Sequence, residues 1–279
     1  MEDLMKKLFL ALFVLVLFIG CKSTPEEAAP VEPETQAEEA APVVDASTHY
    51  NRGMEHYNKY EFDQAIGEFN EAANKDPKMA DALIARGNAY SGKIQLEQAL
   101  DDYTAAAKVN AGYDHYAKGY SRFLYEDYRA AITEFSLAID EKSNLLAAYN
   151  DRGLAYTNLG NYDQAMADFN EAININPNSA FAYNNRGNVY LMKKNYDKAI
   201  EDYTKASEIY PELVFPHSGK GFVHHQKKEY DLAIEDYNKA MELAPENATI
   251  YTLRGNTYSA MKQKDLADAD FARASELKK

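Results

Sequence analysis

Small and aromatic residues recur along the chain with a period close to 34 residues. Alanine follows each of seven glycines after 12 and again after 19 residues, and an aromatic residue follows after 16. A period of this length indicates stacked supersecondary units. We predict a pair of antiparallel helices per unit, because glycine and alanine let two helices approach closely. The glycines are Gly53, Gly87, Gly119, Gly153, Gly187, Gly221 and Gly255.

These positions resemble the signature of the tetratricopeptide repeat family. That signature has a small residue at its eighth position, alanine at its twentieth and twenty-seventh, and proline at its thirty-second, where Pro77, Pro177, Pro211 and Pro245 stand here. The resemblance covers residues 46–279. It implies an all-α fold, a right-handed superhelix (α-solenoid) of seven helix-turn-helix repeats. The predicted repeats are residues 46–79, 80–111, 112–145, 146–179, 180–213, 214–247 and 248–279.

Both ends of the array and one internal connection depart from the pattern. Glu55 in the first repeat and Asp268 in the last stand where other repeats have small or apolar residues. We therefore predict that these two positions face solvent and cap the array. The connection between the second and third repeats is two residues short and lacks proline, which predicts a bend or a local change of groove shape at residues 108–115.

A charged pair also recurs in every repeat. The residue before each glycine is basic, and the fifteenth residue after it is acidic. We predict a ladder of ion pairs, either between the two helices of a repeat or between adjacent repeats. An anion-binding stripe is the functional alternative.

The first twenty residues have the layout of an export signal peptide. Two lysines precede an apolar run from Leu8 to Ile19, and Gly20 and Cys21 follow it. The run is shorter than the roughly 20 residues that a membrane-crossing helix needs. Gly20-Cys21 resembles a bacterial lipobox, which implies a lipid on Cys21 that holds the protein on a membrane. A soluble secreted protein and a retained signal segment are the alternatives.

Residues 21–45 join this cysteine to the repeats. The segment is rich in proline, glutamate and alanine, with one lysine against seven acidic residues and no aromatic residue. This composition predicts an extended acidic tether without a packed structure. Lys22 after the cysteine resembles lipoproteins sent to the outer membrane. The expected location is therefore the bacterial cell envelope, at the outer membrane, on its periplasmic or surface face.

Composition and motifs argue against several function classes. The formal net charge of −14 disfavours a nucleic-acid partner, since binding to phosphates needs clustered lysine and arginine. The near match to a phosphate-binding loop at residues 87–94 has Ile94 where a magnesium-binding hydroxyl is required. Five of the six histidines fall in register with packing tyrosines. We predict no metal site, no cofactor and no enzymatic activity.

The family resemblance implies a concave groove lined by the first helix of each repeat. Asparagine both donates and accepts hydrogen bonds, so a row of asparagines suits the backbone of an extended peptide. Helix capping and solvation are the alternative use of these asparagines. The predicted groove residues are Asn88, Tyr116, Tyr120, Asn150, Asp151, Phe181, Asn184, Asn185, Asn188, Phe215, Phe222 and Asn256.

Together these features predict a non-catalytic scaffold or adaptor that is anchored to a membrane and binds an extended peptide or a partner protein in its groove. The alternative function is the binding of a small amphiphilic ligand or solute, for example by a transporter-associated accessory protein. The identity of the partner and the oligomeric state are open at the level of sequence.

Overall fold

The computed structural model describes residues 44–141 and 145–278. Within these ranges the regular structure is fourteen α-helices and one short 3₁₀ helix, with no strand. The predicted signal peptide, Cys21 and the tether up to residue 43 lie outside the described residues. In chain order, helices α1 to α14 are Ala46–Asn58, Phe62–Lys75, Ala80–Gly92, Leu96–Val109, Asp114–Leu124, Tyr128–Glu141, Leu146–Asn158, Tyr162–Ile175, Ala180–Met192, Tyr196–Ile209, Val214–Gln226, Tyr230–Leu243, Ala248–Ala260 and Lys264–Glu276.

Each odd-numbered helix packs against the even-numbered helix that follows it, and the repeated glycine makes this contact possible. A Cβ atom at Gly153 would lie 2.7 Å from the ring of Phe169, which is fully buried. The same relation holds for all seven glycines and the aromatic residue sixteen positions later. The aromatic ring therefore occupies the space that any larger residue would need. This close pairing, repeated seven times, confirms the predicted all-α solenoid.

The turn inside each hairpin contains one residue in the left-handed backbone region. The φ angles there lie between +58° and +77°, and only the fourth repeat uses glycine, Gly160. In the fifth repeat the N–H of Asn195 then donates to the carbonyl of Tyr190 at 2.8 Å, which closes the end of α9. The left-handed residues are Tyr60, Ile94, Glu126, Gly160, Lys194, Lys228 and Lys262.

The two ends of the array expose the positions that the capping prediction singled out. Glu55 and Asp268 are both exposed. Val189 and Val223, which occupy the position of Glu55 in the fifth and sixth repeats, are fully buried against a neighbouring repeat. Polar residues therefore stand where no repeat within the described residues covers the helix.

The ladder of ion pairs forms in five of the seven repeats, and each pair joins the two helices of one repeat. In the fifth repeat Arg186 donates two hydrogen bonds to the Asp202 carboxylate, at 2.8 and 2.7 Å. Arg186 also donates to Asn170 of the preceding repeat at 2.7 Å, so the ladder links neighbouring repeats as well. The five pairs are Arg86–Asp102, Arg152–Asp168, Arg186–Asp202, Lys220–Asp236 and Arg254–Asp270.

The first and third repeats depart from the predicted ladder. Glu68 lies 2.7 Å from the imidazole of His49, and Glu134 lies 2.7 Å from that of His115. Each histidine stands three residues before the basic residue, on the same face of the first helix, and takes its place as the partner of the acid. The predicted basic partner is therefore wrong in these two repeats.

The connection at residues 108–115 also differs from the others. Helix α4 ends at Val109, and a 3₁₀ helix at Ala111–Tyr113 leads directly into α5. Helix α5 has 11 residues, against 13 in each of the other first helices. The short connection brings Tyr113 into the core, where its hydroxyl donates to Asp81 of the second repeat.

Candidate functional site

The first helices of all seven repeats contribute residues to one cavity on the inner side of the superhelix, called here the concave cavity. Its volume is about 490 Å³. Sites for small ligands typically measure roughly 300–1,000 Å³. Most of its lining residues are aromatic or aliphatic, and a row of asparagines and Asp151 supply the polar part. The cavity therefore has the size and the mixed lining of a binding site.

Contact between the first repeat and the fourth and fifth repeats closes this cavity on one side. The Tyr60 hydroxyl donates to the carbonyl of Asn178 at 2.6 Å and accepts from the N–H of Ala180, also at 2.6 Å. Ala180 is the first residue of α9, and its N–H has no partner inside the helix. One tyrosine thus joins the first repeat to the start of a helix in the fifth repeat, four repeats further along.

Aromatic rings extend this contact into what we call the closing cluster, Tyr60, Phe62, Phe181 and Tyr210. The rings of Tyr60 and Phe181 meet edge to face with centroids 5.8 Å apart, and those of Phe62 and Phe181 are stacked at 6.3 Å. Aromatic pairs of this geometry contribute about 0.5–1.5 kcal/mol each beyond the area that they bury. Burial raises the pKa of Tyr60 to about 12, so its hydroxyl stays protonated and can donate.

A wall of tyrosines lines the opposite part of the cavity. The rings of Tyr103 and Tyr116 meet edge to face at 4.7 Å, and those of Tyr103 and Tyr120 at 4.9 Å. Burial raises the pKa of Tyr103 and Tyr116 well above the usual range for tyrosine. These hydroxyls are therefore neutral at any physiological pH. The Tyr103 hydroxyl donates to Asn88 at 3.0 Å.

Side-chain amides from the fourth and fifth repeats form a continuous hydrogen-bonded row along the cavity, called here the amide row. Asn184 Nδ2 donates to Asn185 Oδ1 at 3.4 Å, and Asn185 Nδ2 donates across the repeats to Asn150 Oδ1 at 3.0 Å. Asn150 Nδ2 then lies 3.4 Å from Asp151 Oδ1. Every amide of the row therefore points its N–H groups towards Asp151.

The amide row ends at an acceptor without a partner. Asn184 is 5 % exposed, and its Oδ1 atom receives no hydrogen bond in the structure. A buried polar atom left unpaired costs about 1–3 kcal/mol. Because Asn184 lines the cavity, a hydrogen-bond donor bound there would satisfy this oxygen.

At the other end of the row, Asp151 accepts a hydrogen bond from the Tyr116 hydroxyl at 2.8 Å. Burial raises the pKa of Asp151 to about 6, although the hydrogen bonds from Tyr116 and Asn150 oppose the shift. Among the described residues that line the cavity, Asp151 is the only one charged at neutral pH. The cavity thus contains a carboxylate without a counterion.

Eleven of the twelve predicted groove residues line the concave cavity. Asn88 and Asn188 do so while accepting hydrogen bonds from buried tyrosines, at 3.0 Å from Tyr103 and 2.7 Å from Tyr203. Asn256 is exposed and lies away from the cavity lining. The other nine are Tyr116, Tyr120, Asn150, Asp151, Phe181, Asn184, Asn185, Phe215 and Phe222.

Several lining residues were not among the predicted ones. One group shares a register that the sequence does contain, since each member follows a repeat glycine by four residues: Tyr57, Ser91, Phe123 and Leu191. Tyr60 has no such signal, because it lies in a turn and reaches the site only through the curvature of the whole array.

The part of the chain that the structure describes has neither a metal centre nor a membrane-spanning helix. It contains no group of three or more His, Cys, Asp or Glu side chains placed to hold a metal ion. None of the described helices is both long and apolar enough to cross a lipid bilayer.

Family models and one curated relative match the repeats. A model described as "TPR repeat" matches residues 153–194 and 221–262, and models described as "Tetratricopeptide repeat" match residues 180–213 and 248–279. Human tetratricopeptide repeat protein 6 is 28 % identical over 113 residues, which is 39 % of this chain. The match spans only 22 % of the length of that relative.

Solved structures resemble this fold at low sequence identity. The Cut9–Hcn1 hetero-tetramer of APC/C matches with a TM-score of 0.66 and 17 % identity, over 83 % of this chain and 46 % of that chain. A tetratricopeptide repeat protein from Parabacteroides merdae matches at 0.51 and 21 %, over 83 % and 93 %. MamA from Desulfovibrio magneticus matches at 0.54 and 20 %, over 61 % and 96 %. At these sequence identities, the matches show that the fold is similar and nothing more.

The repeat matches agree with the sequence pattern and with the seven hairpins. Folds of this kind are typical of scaffolds for protein–protein interaction, and such scaffolds are generally non-catalytic. The chain therefore carries tetratricopeptide repeats, which the family models match over residues 153–213 and 221–279.

Proposed function

We propose that this chain is a non-catalytic adaptor that binds a peptide segment of a partner protein in the concave cavity. The observation that carries the proposal is the amide row, because Asn150, Asn184 and Asn185 lie on the cavity surface and come from successive repeats. Primary amides spaced in this way can pair with the N–H and C=O groups of a peptide backbone. The aromatic lining supplies contact area for apolar side chains of the same segment.

A second candidate function is the binding of a small amphiphilic ligand. The closing cluster favours it, because Tyr60 joins the first repeat to Asn178 and Ala180 and leaves a bounded volume of about 490 Å³. An extended peptide would have to pass through this bounded space or open it, whereas a small ligand only has to enter it.

Photo-crosslinking of the full chain in its native cells distinguishes the two candidates. A benzophenone amino acid is placed at Phe215, which lines the cavity, and, as a control, at Tyr125, which is 82 % exposed and lies outside the lining. We expect position 215, and not position 125, to yield an adduct with a defined protein. An adduct of small mass supports the second candidate. No adduct at position 215, or the same adducts at both positions, contradicts binding in the cavity.

The proposed adaptor acts from a membrane surface. The motif at Gly20-Cys21 and the acidic composition of residues 22–45 support a lipid on Cys21 and a tether that separates the repeats from the bilayer. Lys22 supports the outer membrane as its location. A single acyl chain binds membranes only marginally, so a stable anchor needs more than one chain.

Metabolic labelling with an alkyne fatty acid tests the anchor. We expect the full chain to be labelled and to sediment with outer-membrane fractions, and Cys21→Ser to be unlabelled and released. Membrane association of Cys21→Ser equal to that of the original chain would point to a retained signal segment. Label in inner-membrane fractions would contradict the proposed location.

A further inference from the structure

We propose that the concave cavity selects a protonated amine on an apolar body, with Asp151 as the counterion, while the Asn184 side-chain oxygen accepts a hydrogen bond from a separate donor of the occupant. This inference rests on the proposed function, since it assumes that the cavity is the binding site. It specifies the chemistry of the occupant, which neither the repeat fold nor the family fixes.

The charge inside the cavity is unbalanced. The described lining of the cavity contains no lysine, arginine or histidine, and only the Asp151 carboxylate is charged there. The titratable groups that face Asp151 are tyrosines of other elements, which burial keeps neutral: Tyr57 of α1, Tyr103 of α4, and Tyr116 and Tyr120 of α5. An isolated carboxylate in apolar surroundings is costly unless a cation pairs with it. The protein lining supplies none, so the occupant is the available source.

The hydrogen bonds of the amide row all run in one direction. Asn184, Asn185 and Asn150 each donate towards Asp151, which is the arrangement that a negative charge favours. The orientation leaves the Asn184 oxygen as an unpaired buried acceptor at the far end. The Asp151 end of the row therefore lacks a cation, which a protonated amine supplies together with N–H donors. The Asn184 end lacks a donor, which another part of the occupant has to supply. A quaternary ammonium group has the charge but no N–H.

Aromatic rings line the cavity around the Asp151 carboxylate. Tyr116 and Tyr120 line the cavity close to Asp151, and Phe181, Phe215 and Phe222 line the remainder. The faces of aromatic rings attract cations, most strongly where water is excluded. The same rings contact hydrocarbon. The cavity therefore offers a carboxylate to the charged end of an occupant and aromatic rings to its apolar body.

Protonation links these contacts to pH. The pKa of Asp151 is about 6, so about nine in ten molecules carry the carboxylate at pH 7 and about one in ten at pH 5. The proposed amine is protonated throughout this interval. Its affinity is therefore expected to fall several-fold from pH 7 to pH 5. Two sources have this chemistry, a free small amine and the lysine side chain or terminal amine of a peptide.

Calorimetric titration of the full chain in detergent tests the inference with matched probes. The probes are 2-phenylethylamine, its N-trimethyl derivative and 2-phenylethanol. Two blocked Phe-Lys-Phe peptides, with the lysine free or acetylated, are titrated in parallel. We expect the primary amine to bind at least tenfold more tightly than the alcohol and more tightly than the trimethyl form. Preference for the free-lysine peptide over both small amines would identify a peptide as the source, and the reverse a small molecule.

Substitutions test which residues cause the preference for the amine. Asp151→Asn is expected to reduce the preference for amine over alcohol to within twofold. Asp163→Asn removes the same charge from a side chain that is 88 % exposed and should leave binding unchanged. Circular dichroism spectra identify any variant that fails to fold, and the pH dependence of the unsubstituted chain provides a test without substitution.

Three results would overturn the inference. They are equal binding of amine and alcohol, a preference that survives Asp151→Asn, and no binding of any probe. If the alcohol binds as well as the amine while the crosslink at position 215 forms, the amine inference fails and the binding function stands. If that crosslink is absent as well, both the amine inference and the proposed binding function fail.

Discussion

Tyr60 lies face to face with Tyr210, with ring centroids 4.5 Å apart and ring planes inclined by 7°. The two residues follow helices of the first and fifth repeats, so this stack spans most of the array. Repeat proteins usually depend on contacts between adjacent repeats alone. Here a contact between distant repeats adds to them and converts an open groove into a bounded cavity.

The closing contact can be tested at the Tyr60 hydroxyl. Tyr60→Phe keeps the aromatic ring but removes the hydrogen bonds to Asn178 and Ala180, and should lower the free energy of unfolding by about 1–3 kcal/mol. Tyr60→Ala also removes the stack and should increase the radius of gyration in solution scattering. Tyr125→Phe, at an exposed site, serves as the control. An unchanged radius for Tyr60→Ala would contradict closure through this residue.

The fit between glycine and aromatic ring predicts opposite effects of the same substitution at two helical glycines. At Gly153 a Cβ atom would overlap the buried Phe169 ring, and we expect Gly153→Ala to destabilise the chain by about 1–2 kcal/mol. Gly67 has nothing within 4 Å of such an atom, so Gly67→Ala should stabilise α2 by about 0.5–1 kcal/mol. Urea unfolding of both variants gives the comparison. Stabilisation by both would refute the proposed packing.

The two residues of a buried ion pair in the ladder should not contribute independently to the free energy of unfolding. Burial raises the pKa of Asp202 despite its pairing with Arg186, which indicates a desolvation cost that the pair does not fully offset. Arg186→Met leaves a buried carboxylate alone and should cost about 3 kcal/mol. The double variant Arg186→Met/Asp202→Leu should cost clearly less. Lys264→Met, which breaks an exposed pair, should have a much smaller effect in the same thermal unfolding assay.

A double variant that is less stable than Arg186→Met would show that the pair itself stabilises the stacking of the repeats. In that case the ladder, and not only the apolar core, would hold neighbouring repeats together.

Asp151 should make stability depend on pH. Its pKa is about 6 in the folded chain against an ordinary value of 3.8, so the unfolded chain loses this proton first as the pH rises. The Asp151 contribution therefore becomes increasingly unfavourable between about pH 4 and pH 6. Asp151→Asn lacks this contribution, and its stability relative to the original chain should increase by on the order of 1 kcal/mol between pH 5 and pH 7.5.

Urea unfolding of both chains across this interval gives the difference directly. Asp163→Asn should show no such trend, because that carboxylate is 88 % exposed. A constant difference between Asp151→Asn and the original chain would mean that Asp151 does not titrate within the cavity.

The repeat register allowed many of the cavity residues to be predicted from the sequence. Residues one position after the repeat glycine, such as Asn88 and Phe222, and two or three positions before it, such as Asp151, face the same side in every repeat. They could therefore be listed in advance, and most of them line the cavity. Asn256 has the right register, but in the last repeat only Leu253 reaches the cavity lining and Asn256 is exposed. Register specifies a face, and it does not specify how far along the array a site extends.

By itself the sequence determined the helices, their pairing and their order, because fixed spacings of glycine, alanine and aromatic residues act locally within each repeat. The meeting of Tyr60 with Ala180 and Tyr210 was decided by the tertiary structure alone. Small rotations between neighbouring repeats accumulate over the array. No local pattern encodes their sum. The enclosure of Asp151 and the unpaired oxygen of Asn184 depend on that same accumulated curvature.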